Sequence, residues 1–144
     1  MKLLQNNKKT VVLISCVSQK LDYKSKAKDL YVSSLFKKNM AYAHKLKADE
    51  IYILSAKYGL LKLNDEIEPY NLTLNTMGVK EKKVWADKVL IQMENTENIS
   101  NTNFIFLAGA NYRKYLVGNM PYFEVPMEGL QIGKQLQYLT EHLK

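Results

Sequence analysis

Four short segments of this chain set small or glycine residues beside side chains that can hold or activate a ligand. The first is Ser15-Cys16 with Ser18, Gln19 and Lys20 behind it, and the second is Ser55 with Lys57, Tyr58 and Gly59. The third is Gly109-Ala110 with Tyr112 and Arg113, and the fourth is Pro126 with Glu128 and Gly129. Serine and lysine supply donors and charge, tyrosine offers a face on which a base can stack, and glycine lets backbone come close to a ligand. Glu128, directly before Gly129, is the first candidate for a catalytic acid/base or ligand-binding carboxylate; the structural alternative is a charge favouring the positive end of the last helix. Cys16 is a candidate nucleophile wherever its thiolate is stabilised, against the alternative of a small, inert, buried residue. Lys20, Lys57 and Arg113 suit phosphate, and Tyr58, Tyr70 and Tyr112 suit a base, although with ten tyrosines in the chain many must be packing. Pro69 restricts Glu68 to an extended shape, which would hold Glu68 and Tyr70 on a stiff lip; an ordinary acidic loop is the alternative.

Other chemistry is not signalled. His44 and His142 fall on helical segments away from these four places, which argues against a histidine relay or a histidine metal site. Cys16 is the only cysteine, so neither an intrachain disulfide nor a cysteine zinc site is expected. There is no phosphate-binding Walker loop and no dinucleotide fingerprint, and neither cofactor nor metal is called for.

The elements that must position these residues alternate. Thr10 to Cys16 (TVVLISC), Glu50 to Ser55 (EIYILS), Asn103 to Ala108 (NFIFLA) and Tyr122 to Val125 are short apolar runs, as strands buried on both faces read. Between them the spacing predicts helices from Ser33 or Ser34 to about Lys47, from Val79 to Glu94, from Asn111 to Val117 and from Gln131 to Leu143. Ser33 or Ser34 can cap the first, whose stripe is Phe36, Met40, Ala43 and Leu46. Gln19 to Tyr31 reads as a loop. Ala56 to Met77 is too long for an ordinary connection, and such segments are usually functional. Strand-helix alternation predicts a three-layer α/β/α sandwich around a mostly parallel sheet of about four strands, one domain over residues 1–144. In such sheets ligands bind outside the carboxyl ends of the strands, where all four segments fall.

The net charge is +7, and Arg113 is the only arginine. A lysine-rich surface fits a polyanion such as nucleic acid, or simply a solvated exterior. One arginine is poor equipment for reading guanine edges; lysine neutralises phosphate without reading sequence. No signal peptide or membrane span is evident, so a cytoplasmic protein with no membrane partner is expected.

The stretch Ile53 to Leu61 (ILSAKYGLL), followed by Ile67 to Leu74 (IEPYNLTL), resembles the signature of the bacterial YaaA peroxide-stress proteins. The wider pattern is similar to a related uncharacterised domain family of bacteria and phages. It takes in Ser15-Cys16, Lys20, Asp29-Leu30-Tyr31, Leu107 to Gly109 with Tyr112, and Val125 to Leu130 with Gly133. This covers nearly the whole chain. The broader kinship looks like a uracil-DNA-glycosylase-type sandwich, which implies nucleobases or nucleic acid as the ligand class; this is analogy at the level of fold. Ser15 to Lys20 lacks the carboxylate of the glycosylase water-activating motif.

Three functions are therefore expected in competition. One is an enzyme directed at a nucleobase or nucleic acid, such as a glycosylase cleaving an N-glycosidic bond, with the base taken into a pocket. The others are a non-catalytic DNA-binding protein of stress response or phage–host conflict, and a sensor of a small nucleotide.

Overall fold

A computed structural model describes residues 8–15 and 19–144 of the chain. The β-branched run becomes strand β1 (Lys9–Ser15), with Val11 to Ile14 completely buried. A strand this apolar needs cover on both faces, which a parallel sheet between helices supplies. The other main strands are β3 (Glu50–Ser55), β6 (Thr102–Leu107) and β7 (Tyr122–Glu124). β1 pairs in parallel with β3 and β6, and β6 with β7.

A fifth strand, β4 (Gly59–Lys62), closes the β3 edge antiparallel, giving the order β4-β3-β1-β6-β7. The fold is thus a mixed α/β sandwich with five central strands rather than four, because the front of the expected 56–77 loop is a hairpin. Gly59 pairs with Ser55 and has φ +79°, so a left-handed residue closes a three-residue connection. That is a common way to fit a short turn to strand twist. Two further short strands, β2 (Ser25–Lys26) and β5 (Glu66–Ile67), pair antiparallel, and helix α1 (Ala27–Leu30) follows β2. The expected 19–31 loop therefore holds one helical turn.

Helix α2 (Ser34–Lys45) starts where Ser33 Oγ accepts the Phe36 amide at 3.1 Å. Helix α3 (Val79–Glu94) has the expected bounds; at its start Glu81 accepts the Gly78 amide. Helix α4 is confined to Ala110–Arg113, continued by a 3₁₀ turn at Val117–Asn119, and α5 spans Ile132–His142. On α5 Leu139 is buried while Ile132 is exposed. Phe36, Ala43 and Leu139 pack with Val12, Ile14 and Ile53 on one face of the sheet. Trp85, Val89, Met93 and Tyr112 pack with Leu13, Leu54 and Phe106 on the other.

At the amino end of the sheet Tyr52 donates a short hydrogen bond to the buried carboxylate of Glu97, which also pairs with Lys9 at 2.9 Å. Burial and the Glu97 contact push the Tyr52 phenol up to about 12, and the same carboxylate raises Lys9. This ionic cluster ties β1, β3 and the turn after α3 together, at the end of the sheet opposite the four candidate segments.

The connection β1 to β3 leads toward one edge, and β3 to β6 returns past β1 toward the other. The chain therefore diverges between the carboxyl ends of β1 and β6, the place where open α/β sheets form a crevice.

Candidate functional site

A cavity of about 400 Å³ opens at that divergence, within the range of small-ligand sites. Its floor is Ser15 at the end of β1 and Leu107, Ala108 and Gly109 at the end of β6. Ser15 Oγ accepts the Gly109 amide at 3.1 Å, tying the two strand ends. One wall comes from α2 and α5 through Leu35, Asn39, Ile132 and Gln135; the other comes from Asn71, Leu72, Thr73 and Asn75. Lys20 and Tyr112 complete it.

Asn39 is 3% exposed, and its side-chain carbonyl has no hydrogen-bond partner among the described residues. Buried polar atoms are nearly always paired, and leaving one unpaired costs about 1–3 kcal/mol. Asn39 lines the cavity, and its carbonyl keeps that cost just behind the cavity surface. Around it the amides are half-committed. Gln135 Nε2 donates to the Leu130 carbonyl at 2.8 Å, which leaves its Oε1 as an acceptor. Asn75 Oδ1 accepts from Asn111 at 2.8 Å, and Asn111 accepts from Lys82 at 3.0 Å, which leaves the Asn75 amide nitrogen as a donor.

Lys20 is held by a short antiparallel bridge to Tyr31, and its ammonium lies 4.6 Å from the centre of the Tyr70 ring. Tyr70 sits in a tyrosine cluster: its hydroxyl meets that of Tyr31 at 2.7 Å and accepts from Ser55 at 2.9 Å, and its ring meets Tyr58 edge-on at 5.7 Å. Ser55 is completely buried and also accepts the Tyr58 amide, so it braces the cluster and the hairpin turn. Tyr112 is buried edge-to-face on Trp85, and the Leu74 amide donates to its hydroxyl at 3.4 Å. Its ring is packing, and it anchors the 71–75 wall.

The remaining candidates lie apart. Arg113 and Gly129 line a second depression of about 290 Å³, between the ends of β6 and β7. Arg113 Nε donates to the Ala108 carbonyl, and Nη1 lies 4.0 Å from Glu128, whose side chain is 71% exposed. Lys57 is exposed above Tyr58, and Glu68 is exposed with its carbonyl accepting from Tyr58. Gly59 faces away from the cavity against Gln92, which bonds the Leu60 amide and the Tyr58 carbonyl. Cys16 lies outside the described residues. His44 and His142 are exposed, His142 stacked on Tyr138 at 3.9 Å. Among the described residues no cluster of His, Cys, Asp or Glu is suited to a metal, and no helix is long and apolar enough to cross a membrane.

The structure thus brings Ser15, Lys20, Gly109 and Tyr112 to one cavity, with Tyr58 and Tyr70 in support. Sequence reasoning missed Asn39, Asn71, Thr73, Asn75 and Gln135. Asn39 carried a readable signal, since it falls three residues after Phe36 on the apolar stripe of α2. Glu68 and Tyr70, expected on a lip, do not line the cavity; the wall is formed just after them by Asn71, Leu72, Thr73 and Asn75.

A protein-family model matches residues 11–141, which is nearly all of the described fold. The chain belongs to the DUF6884 family, a family of unknown function. This DUF6884 chain is also 30% identical to a UPF0246 protein of Crocosphaera subtropica, over 60% of its own length and 38% of that protein's. UPF0246 proteins are YaaA-like, so the kinship extends to that group, while the chain spans well under half of that relative.

Proposed function

We propose that this DUF6884 protein binds a nucleobase-bearing ligand, with the base seated in the cavity between the ends of β1 and β6. The single observation that carries the reading is Asn39, which lines that cavity and whose buried side-chain carbonyl has no partner among the described residues. A nucleobase brings ring or exocyclic N–H donors beside ring acceptors, and carboxamides pair with such edges. The Gln135 acceptor and the Asn75 donor extend the complement, Leu35, Leu72, Leu107 and Ile132 supply apolar surface for the ring faces, and Lys20 adds positive charge. The glycosylase-like resemblance names the same ligand class. Amides, a hydroxyl and an ammonium are groups for recognition. Cleavage of an N-glycosidic bond would additionally draw on Glu128 or Cys16, and Glu128→Gln tests it as loss of turnover with the fold kept.

Asn39→Leu is the decisive variant. The ligand-free protein should become more stable by about 1 kcal/mol, because an orphaned acceptor is replaced by an apolar group of similar size. Calorimetric titration with nucleobases and nucleosides should show binding to the parent chain and none to the variant. Equal binding by both proteins, or no binding by the parent, sinks the reading.

A further inference from the structure

The two depressions are neighbours. Both are lined by Leu107, Ala108, Gly109 and Gln135, so they meet over the exit of β6. Gly109 lines both, and among the described residues a Cβ there would meet nothing within 4 Å. Arg113 lines the second. Its Nε–H is donated to the Ala108 carbonyl at 3.3 Å, which fixes the plane of the guanidinium beside the depression. The terminal nitrogens keep their donors, and among the described residues the carboxylate paired with them, Glu128, stands off at 4.0 Å with a largely exposed side chain. The Arg113 side chain is only 16% exposed, but so loose a pair with a carboxylate that stands largely in water leaves the guanidinium able to exchange partners. A planar fork with oriented donors matches phosphate oxygens in a way lysine does not.

We infer that the depressions form one bipartite site whose second half is an anion subsite on Arg113, so that the ligand is a nucleoside phosphate. The inference rests on the nucleobase reading of the first cavity. Glu128 then occupies Arg113 when the site is empty and yields it to the incoming phosphate.

The test is calorimetric titration of the full chain with the common nucleosides, their 5′- and 3′-monophosphates and short single-stranded oligonucleotides. A monophosphate should bind about tenfold more tightly than its nucleoside, as one charge-assisted bidentate contact provides. Arg113→Gln should abolish that gain and leave nucleoside affinity unchanged, Arg113→Lys should restore part of it, and Glu128→Gln should enlarge it. Melting curves of each variant establish that the fold is retained. An Arg113-dependent gain that grows with oligonucleotides assigns the unit to a strand; a gain confined to monophosphates assigns it to a free nucleotide. Nucleoside binding with no gain from phosphate overturns the inference and spares the nucleobase reading. So does a gain lost in Lys20→Met but kept in Arg113→Gln, which would put the phosphate in the first cavity. No binding by nucleosides or monophosphates overturns both.

Discussion

Asn39 and Tyr52 are both buried groups that water would otherwise satisfy, and the chain treats them oppositely. Tyr52 is paired with Glu97 and serves the fold, whereas the Asn39 carbonyl has no partner among the described residues. The paired phenols predict alkaline lability. Below pH 10 the phenols are neutral in both folded and unfolded states, so their stabilisation is fully present. As pH rises from 10 toward 12 the unfolded chain ionises first, because burial holds the folded Tyr52 at about 12 and also pushes Tyr42 up. Stability then falls, by on the order of 2 kcal/mol for Tyr52 across that window. Urea unfolding at about pH 9 and about pH 11 measures the decline, and Tyr52→Phe should make it shallower. An equally steep decline in the variant would remove Tyr52 as its cause.

The β3–β4 hairpin is the element that most altered the expected architecture, and two glycines make its energetics testable. Gly59 and Gly129 both have positive φ, +79° and +82°. Alanine at either costs about 1–2 kcal/mol from the backbone alone. At Gly59 the new methyl also collides with Gln92, the side chain that locks the hairpin to α3; at Gly129 it enters open space. Gly59→Ala should therefore lower the midpoint of urea unfolding clearly more than Gly129→Ala. Equal losses would mean that Gln92 swings aside and does not hold the hairpin.

For the molecule as a whole, a net charge of +7 guarantees some attraction to any polyanion, which has to be separated from recognition in the cavity. Non-specific binding to duplex DNA should weaken steeply as salt rises, because it works by releasing counterions from phosphates. Binding of an uncharged nucleoside in the cavity should be nearly independent of salt. Titrations of both ligands at about 50 mM and about 200 mM salt distinguish the two. Nucleoside binding that fades in parallel with DNA binding would place the ligand on the lysine-rich exterior.

Composition and periodicity alone determined the alternation of strands and helices, the sandwich class, the bounds of α3 and the strand ends that frame the cavity. These follow from local chemistry: β-branched runs need two covered faces, and an amphipathic stripe needs one. Local pattern could also point to Ser15, Lys20 and Gly109, because strand exits are readable along the chain. Tertiary structure alone decided that Asn39, the 71–75 segment and Gln135 converge on them, since the wall is assembled from elements brought together only when crossovers pack on opposite faces. It also separated Gly59, Lys57 and Glu128 from the cavity although each stands near a strand exit. A residue's place in sequence fixes its distance from a strand end, but the direction of its side chain depends on what the neighbouring elements leave open.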